Sequence, residues 1–168
     1  MKITLVRIQK VAQGMNQLYS SMDKGFARVE TNMALLKRFR NLCYEANCKL
    51  EEALNGLSRQ LENPWLKAAD PTWTPTKEFR SEVCFHLRSI RQTVAANIHT
   101  IGDYIEEFSD QWDRSFSLNA LIKFKSLLEK DLQNLDQEIE SLRMMFLLED
   151  RKEQLQQNNQ IMEPDSKA

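Results

Sequence analysis

Between Leu5 and Leu61, apolar side chains return every seven residues in two interleaved sets. One set is Leu5, Ala12, Tyr19, Phe26, Met33, Arg40, Asn47, Leu54 and Leu61. The other is Ile8, Met15, Met22, Val29, Leu36, Cys43, Leu50 and Leu57. Such a pattern buries a narrow stripe along a helix and requires another helix to cover it. Only Arg40 and Asn47 are polar in this seam. Gly14, Gly25 and Gly56 interrupt the helix formers, each costing up to ~1 kcal/mol relative to Ala in a helix interior. Gly14 or Gly25 marks the expected weak point. Because the seam keeps its phase across both, a kink is expected there and not a loop.

The pattern stops at Asn63-Pro64-Trp65 and Asp70-Pro71-Thr72-Trp73-Thr74-Pro75, which hold three of the four prolines in the chain. Proline cannot continue a helix and restrains the residue before it. Residues 62–74 therefore read as the internal linker, with Trp65 and Trp73 pinning it against helices. Its alternative use as a proline-type ligand fits poorly with exposed tryptophans. Thr74 and Pro75 suit an N-cap and first turn. From there Phe79, Val83, Leu87, Ile90, Val94, Ile98, Ile101, Ile105, Phe108 and Trp112 step by three or four, the signature of an amphipathic helix. Beyond a weak spot at Ser115-Phe116-Ser117, Leu118, Lys125, Leu132, Ile139 and Phe146 pair with Leu121, Leu128, Leu135 and Leu142 in a second heptad.

The expected architecture is all-α: a single domain over 1–155, elongated, of three main antiparallel helices at about 5–61, 75–114 and 117–155. The polar residues 156–168 form an expected disordered tail. A 57-residue first helix would be on the order of 85 Å long at 1.5 Å per residue. Three unequal helices leave apolar stripe uncovered, so a dimer is expected.

Charge is asymmetric. Residues 1–61 carry ten Lys and Arg against five Asp and Glu, and residues 62–168 carry thirteen against nineteen, for a net charge of -1. That total argues against a nucleic-acid partner, while the basic first segment suits an acidic surface or complements the rest of the fold. Cys43, Cys48 and Cys84 form no CxxC pair, and an odd number of thiols suits a reducing, cytoplasmic setting. The first ten residues are broken by Lys2, Arg7 and Lys10 and resemble no signal peptide.

No catalytic, cofactor or metal site is expected. His86 and His99 have no Cys or carboxylate at metal spacing. There is no phosphate-cradling Gly-rich loop and no nucleophile elbow. The chain is expected to bind and not to catalyse. Arg40 and Asn47 are candidates for fixing register or partner choice, since polar seam positions do so at a cost in stability. Alternatively the seam opens there and both are exposed. Lys24, Arg28, Lys37, Arg38 and Arg40 gather basic charge on the first segment, with Arg88 and Arg91 able to join them. Such cations contribute about 1 kcal/mol each near an anionic membrane.

Leu50-Glu51-Glu52-Ala53, with Leu57 and Leu61 beyond it, resembles a conserved stretch of the F-BAR branch of the BAR-domain superfamily. Gly14 or Gly25 stands where that family's glycine-led helix begins, and Phe79-Arg80-Ser81-Glu82 through Phe108 is similar to its next helix. Asn47, Cys48 and Leu54 depart from the family pattern. The resemblance covers roughly residues 14–146. It implies a dimeric scaffold, linking membrane to cytoskeleton or trafficking, that meets anionic lipid through Lys24, Arg28, Lys37, Arg38 and Arg40. The other expectation is a coiled-coil subunit of a larger cytosolic assembly, such as a tether or cytoskeletal complex, pairing its seam with a different chain.

Overall fold

The computed structural model describes residues 1–27, 34–68, 72–111 and 116–162, with the backbone alone at 108, 110, 111, 116, 117, 161 and 162. Every regular element among them is helical: α1 (Lys2–Ala27), α2 (Ala34–Leu61), the single turn α3 (Pro64–Lys67), α4 (Lys77–Gln111) and α5 (Phe116–Met162). The four long helices pack in a closed ring, α1 on α2, α2 on α4, α4 on α5 and α5 back on α1.

Neighbours run antiparallel, as the cross-links between them show. Gln9 donates to Ser58 while Arg40 donates to Asp23, which sets α1 against α2. Arg38 reaches Glu107 across α2 and α4. Arg80 reaches Asp150 and Arg91 reaches Asp136 across α4 and α5. Arg7 of α1 lies 3.9 Å from Glu138 of α5.

The expected first helix over 5–61 is thus two antiparallel helices and not one helix kinked at Gly14 or Gly25. Gly14 lies inside α1, and the chain has reversed by Ala34. The reason lies in a change of phase. α1 buries Leu5, Ile8, Ala12, Met15, Tyr19 and Phe26, which follow the two heptad sets. α2 keeps Leu36, Cys43, Leu50 and Leu57 but adds Phe39, Ala46 and Ala53, three residues further on in each repeat. Its buried stripe is rotated, and the positions of Arg40 and Asn47 fall to the flank. Val29 and Met33 of the expected seam lie outside the described residues.

α3 follows from Asn63, whose side chain accepts from the Trp65 backbone N–H at 3.0 Å, with Pro64 in the first turn, where its missing N–H costs nothing. Trp73 packs edge-on to Phe79 with centroids 5.4 Å apart, so it does pin the linker. Trp65 does not; it is 56% exposed. The cap of α4 is Thr76, not Thr74: its hydroxyl accepts from the Phe79 N–H at 3.1 Å. α4 then buries Phe79, Val83, Leu87, Ile90, Val94 and Ile101.

α5 spans 47 residues, about 70 Å at 1.5 Å per residue. It runs to Met162, through the first residues of the expected disordered tail, because its run of good helix formers meets no Gly or Pro until Pro164. Residues 163–168 lie outside the described residues.

At one end of the bundle an edge-to-face aromatic ladder joins three helices. Phe26 meets Phe39 at 5.3 Å, Phe39 meets Phe124 at 5.9 Å, and Phe124 meets Tyr19 at 5.4 Å. Such contacts add ~0.5–1.5 kcal/mol per pair beyond the area buried. The fourth helix is tied in by Asn97, which donates to the Tyr19 hydroxyl at 3.0 Å. Burial there holds the Tyr19 phenol well above its ordinary pKa, against the opposing effect of that hydrogen bond.

Candidate functional site

Of the basic residues singled out from the sequence, Arg38 and Arg40 do not share a face. α2 aims Lys37 outward and turns Arg38 and Arg40 to opposite sides, because successive residues on a helix are ~100° apart. Arg38 donates to Glu107 at 3.1 Å, and its guanidinium stands 5.5 Å from the Tyr104 ring centroid. Arg40 donates to Asp23 at 3.0 Å. Both pairs are exposed enough that each contributes modestly to stability. Lys24 and Lys37 are exposed and have no carboxylate partner among the described residues. Arg28 lies outside the described residues.

Asn47 is half-buried, and its side-chain oxygen has no hydrogen-bond partner. The Asn16 oxygen of α1 is in the same condition. The antiparallel register fixed by Arg40 and Asp23 puts residues 16 and 47 at the same level of the bundle. An unsatisfied buried carbonyl costs ~1–3 kcal/mol. The α1–α2 interface therefore carries a polar blemish where the seam had its second polar position.

His86 is a packed histidine. Its imidazole lies flat against α2 at Gly56, where an added Cβ would fall within 3 Å of three ring atoms. Among the described residues its only ionic neighbour is Glu82, one turn back at 3.6 Å. His99 is exposed. Among the described residues no three His, Cys, Asp or Glu side chains converge as a metal site would need. Cys43 is buried, and burial pushes its thiol up to about 12, whereas Cys48 and Cys84 are exposed.

Three features matter that periodicity did not single out. The first is Arg80, only 5% exposed at the start of α4. It donates to Asp150 at 2.7 Å, to both oxygens of Glu153 at 3.1 Å each, and to the Pro75 carbonyl at 2.9 Å. Its hydrogen bond holds Glu153 below the ordinary carboxylate range. One guanidinium thus clamps the linker, α4 and α5 together. The sequence signal was a pair of acids three apart on α5, matched to an arginine one turn into α4.

The second is the outward face of α5 near its end. Met144, Leu147, Leu148 and Leu155 are between 40% and 62% exposed. They share one side of the helix, opposite Leu142 and Phe146, which are buried against the bundle. Five consecutive apolar residues, Met144 to Leu148, surround a helix more than halfway, so some must face water whichever way it turns. α4 begins level with Asp150 and Glu153, so the last two turns of α5 project past it.

The third is a trough between α4 and α5, opening into two adjoining cavities of about 230 Å³ and 440 Å³. Cys84, Arg88 and Phe146 line both. Arg88 has no carboxylate partner among the described residues.

No helix among the described residues is long and apolar enough to cross a membrane. No protein-family model, no curated protein and no solved structure matches this chain.

Proposed function

We propose that this chain is a non-enzymatic helical docking subunit, acting in a larger protein assembly through the outward face of α5 from Met144 to Leu155. The observation that carries the reading is the outward stripe of Met144, Leu147, Leu148 and Leu155. A helix in a four-helix bundle needs one apolar face, and α5 has two on the same segment. Half-exposed Leu and Met side chains each gain roughly 1 kcal/mol when covered. Four of them on one copy are too few to offset the cost of association unless the partner supplies further area. A different protein, covering this face together with the turns of α5 beyond it, meets that need better than a small symmetric contact between two copies.

The test is a photo-crosslinking amino acid placed at Leu148 or Leu155 in cells, with Lys130 on the outward face of mid-α5 as the reference position. Adducts to one discrete protein at 148 and 155, absent at 130, support the reading. Adducts to the chain itself replace it with a homodimer, and equal labelling at all three positions rejects it.

A second reading, peripheral binding to anionic membrane as the F-BAR resemblance implies, is favoured by Lys24 and Lys37, which project without carboxylate partners. Cosedimentation with anionic vesicles that is lost on Lys24→Glu/Lys37→Glu at unchanged helicity supports it. Binding indifferent to that double change rejects this assignment.

A further inference from the structure

We infer that the trough between α4 and α5 is a docking groove for an acidic amphipathic helix of a partner protein, a surface distinct from the outward stripe of α5. Its floor is apolar: Leu87, Leu142 and Phe146 are buried, and Ile139 is partly buried. Its rim is cationic, with Arg88 and Arg91 on α4, Arg143 on α5, and Lys77 at the far end.

The carboxylates nearby are already engaged. Asp136 accepts from Arg91 at 2.8 Å, and Asp150 accepts from Arg80 at 2.7 Å. Glu140 stands 3.7 Å from Arg143 within the same helix and is exposed. Glu153, which accepts from Arg80, also feels the charge of Lys77, so Arg88 is the rim cation without a carboxylate partner among the described residues. Arg88 therefore leaves an unpaired positive charge on the rim, beside an apolar floor. A ligand that satisfies both carries acids flanking an apolar stripe.

The shape selects a helix among such ligands. From Lys77 to Arg91 the trough follows four turns of α4, about 21 Å at 1.5 Å per residue, the length of some fourteen helical residues. An extended peptide gains its affinity from main-chain hydrogen bonds to a sheet edge. α4 and α5 satisfy their own backbone groups and offer none. A helix keeps its backbone bonds to itself and places anchors at i, i+3 or i+4, and i+7 into the groove. A bilayer surface fits less well, because the apolar floor is recessed between two helices while the arginines stand above it.

Cys84, exposed in the trough, reports occupancy, with exposed Cys48 on α2 as the reference and buried Cys43 silent. The probes are fluorescein-labelled sixteen-residue Glu/Ala helices with Leu, Ile or Phe at the anchor positions, and the same helices with Lys for Glu. With the full chain, saturating acidic peptide is expected to slow maleimide modification of Cys84 at least fivefold and to leave Cys48 unchanged. Arg88→Gln is expected to weaken peptide anisotropy binding about tenfold at unchanged helicity, and raised salt to weaken it further. Met144→Ser/Leu148→Ser is expected to leave it intact, which separates this groove from the α5 stripe. The inference is overturned if Cys84 stays fully reactive with all three acidic peptides, or if the Lys peptides protect it equally. It is also overturned if anionic vesicles protect Cys84 where the peptides do not.

Discussion

Replacing glycine by alanine inside a helix should have opposite signs at two positions of this chain. At Gly14, in the middle of α1, an added Cβ meets nothing within 4 Å. Gly14→Ala is therefore expected to stabilise the fold by about 0.5–1 kcal/mol, from helix propensity and the smaller entropy of the unfolded chain. At Gly56 the same methyl falls on the His86 ring. The propensity gain of ~1 kcal/mol remains, but overpacking in a close helix contact costs ~1–3 kcal/mol. The imidazole is a side-chain end and can swing, but only by leaving the α2 surface on which it is mostly buried. The net expectation is a loss of about 1 kcal/mol. With His86→Ala present the obstacle is gone, and Gly56→Ala should recover the Gly14 behaviour, giving a coupling of about 2 kcal/mol. Urea unfolding followed by far-UV circular dichroism, with the m value unchanged across the set, measures all four corners of the cycle. If Gly56→Ala stabilises as Gly14→Ala does, or if the cycle adds to within about 0.5 kcal/mol, then His86 and Gly56 do not set the α2–α4 approach.

Arg80→Met should lower stability by about 2 kcal/mol at neutral pH, through loss of charge-assisted hydrogen bonds to Asp150 and Glu153. Because Arg80 depresses the Glu153 pKa, the wild-type contribution is complete above the unfolded glutamate value of about 4.3 and is lost as pH falls through the lower folded value. The gap between the wild-type and Arg80→Met curves of stability against pH should therefore narrow as pH falls below the unfolded glutamate value, and a gap that stays constant there would contradict the clamp. Asn47→Leu, which removes an unsatisfied buried oxygen, should stabilise by about 1 kcal/mol without changing mass in solution. A change of mass by sedimentation velocity would instead make Asn47 a residue that specifies association.

The helical stripes were legible because burial and periodicity are the same fact seen twice. Phe79 to Ile101 on α4, and Leu118 to Leu142 on α5, are buried or half-buried where a repeat of three, four or seven puts them. The reversal between α1 and α2 was not legible from that repeat. Two separate amphipathic helices can share a seven-residue count by accident, and a count carries no direction. The warning lay in Phe39, Ala46 and Ala53, apolar residues outside the two heptad sets, beside the polar Arg40 and Asn47 within them. The charges were harder still. Arg40 meets an acid seventeen residues away and Arg38 one sixty-nine residues away, so whether either cation is free depends on which helices become neighbours. Arg80 was missed for the same reason, since the pair of acids that holds it stands seventy and seventy-three residues further on.

The position of Arg80 also decides how the bundle would bear load. A pull on the C-terminal end of α5, along its axis, enters the packed part of the molecule at Asp150 and Glu153, before any of the buried leucines is strained. There it meets a single rigid fork anchored in α4 and in the Pro75 carbonyl. Beyond that fork α5 is held along two flanks at once, by α4 and by α1. Axial tension therefore acts in shear across both seams together instead of opening them turn by turn. A sideways pull on the same end peels one turn at a time, and the fork is the first contact to break.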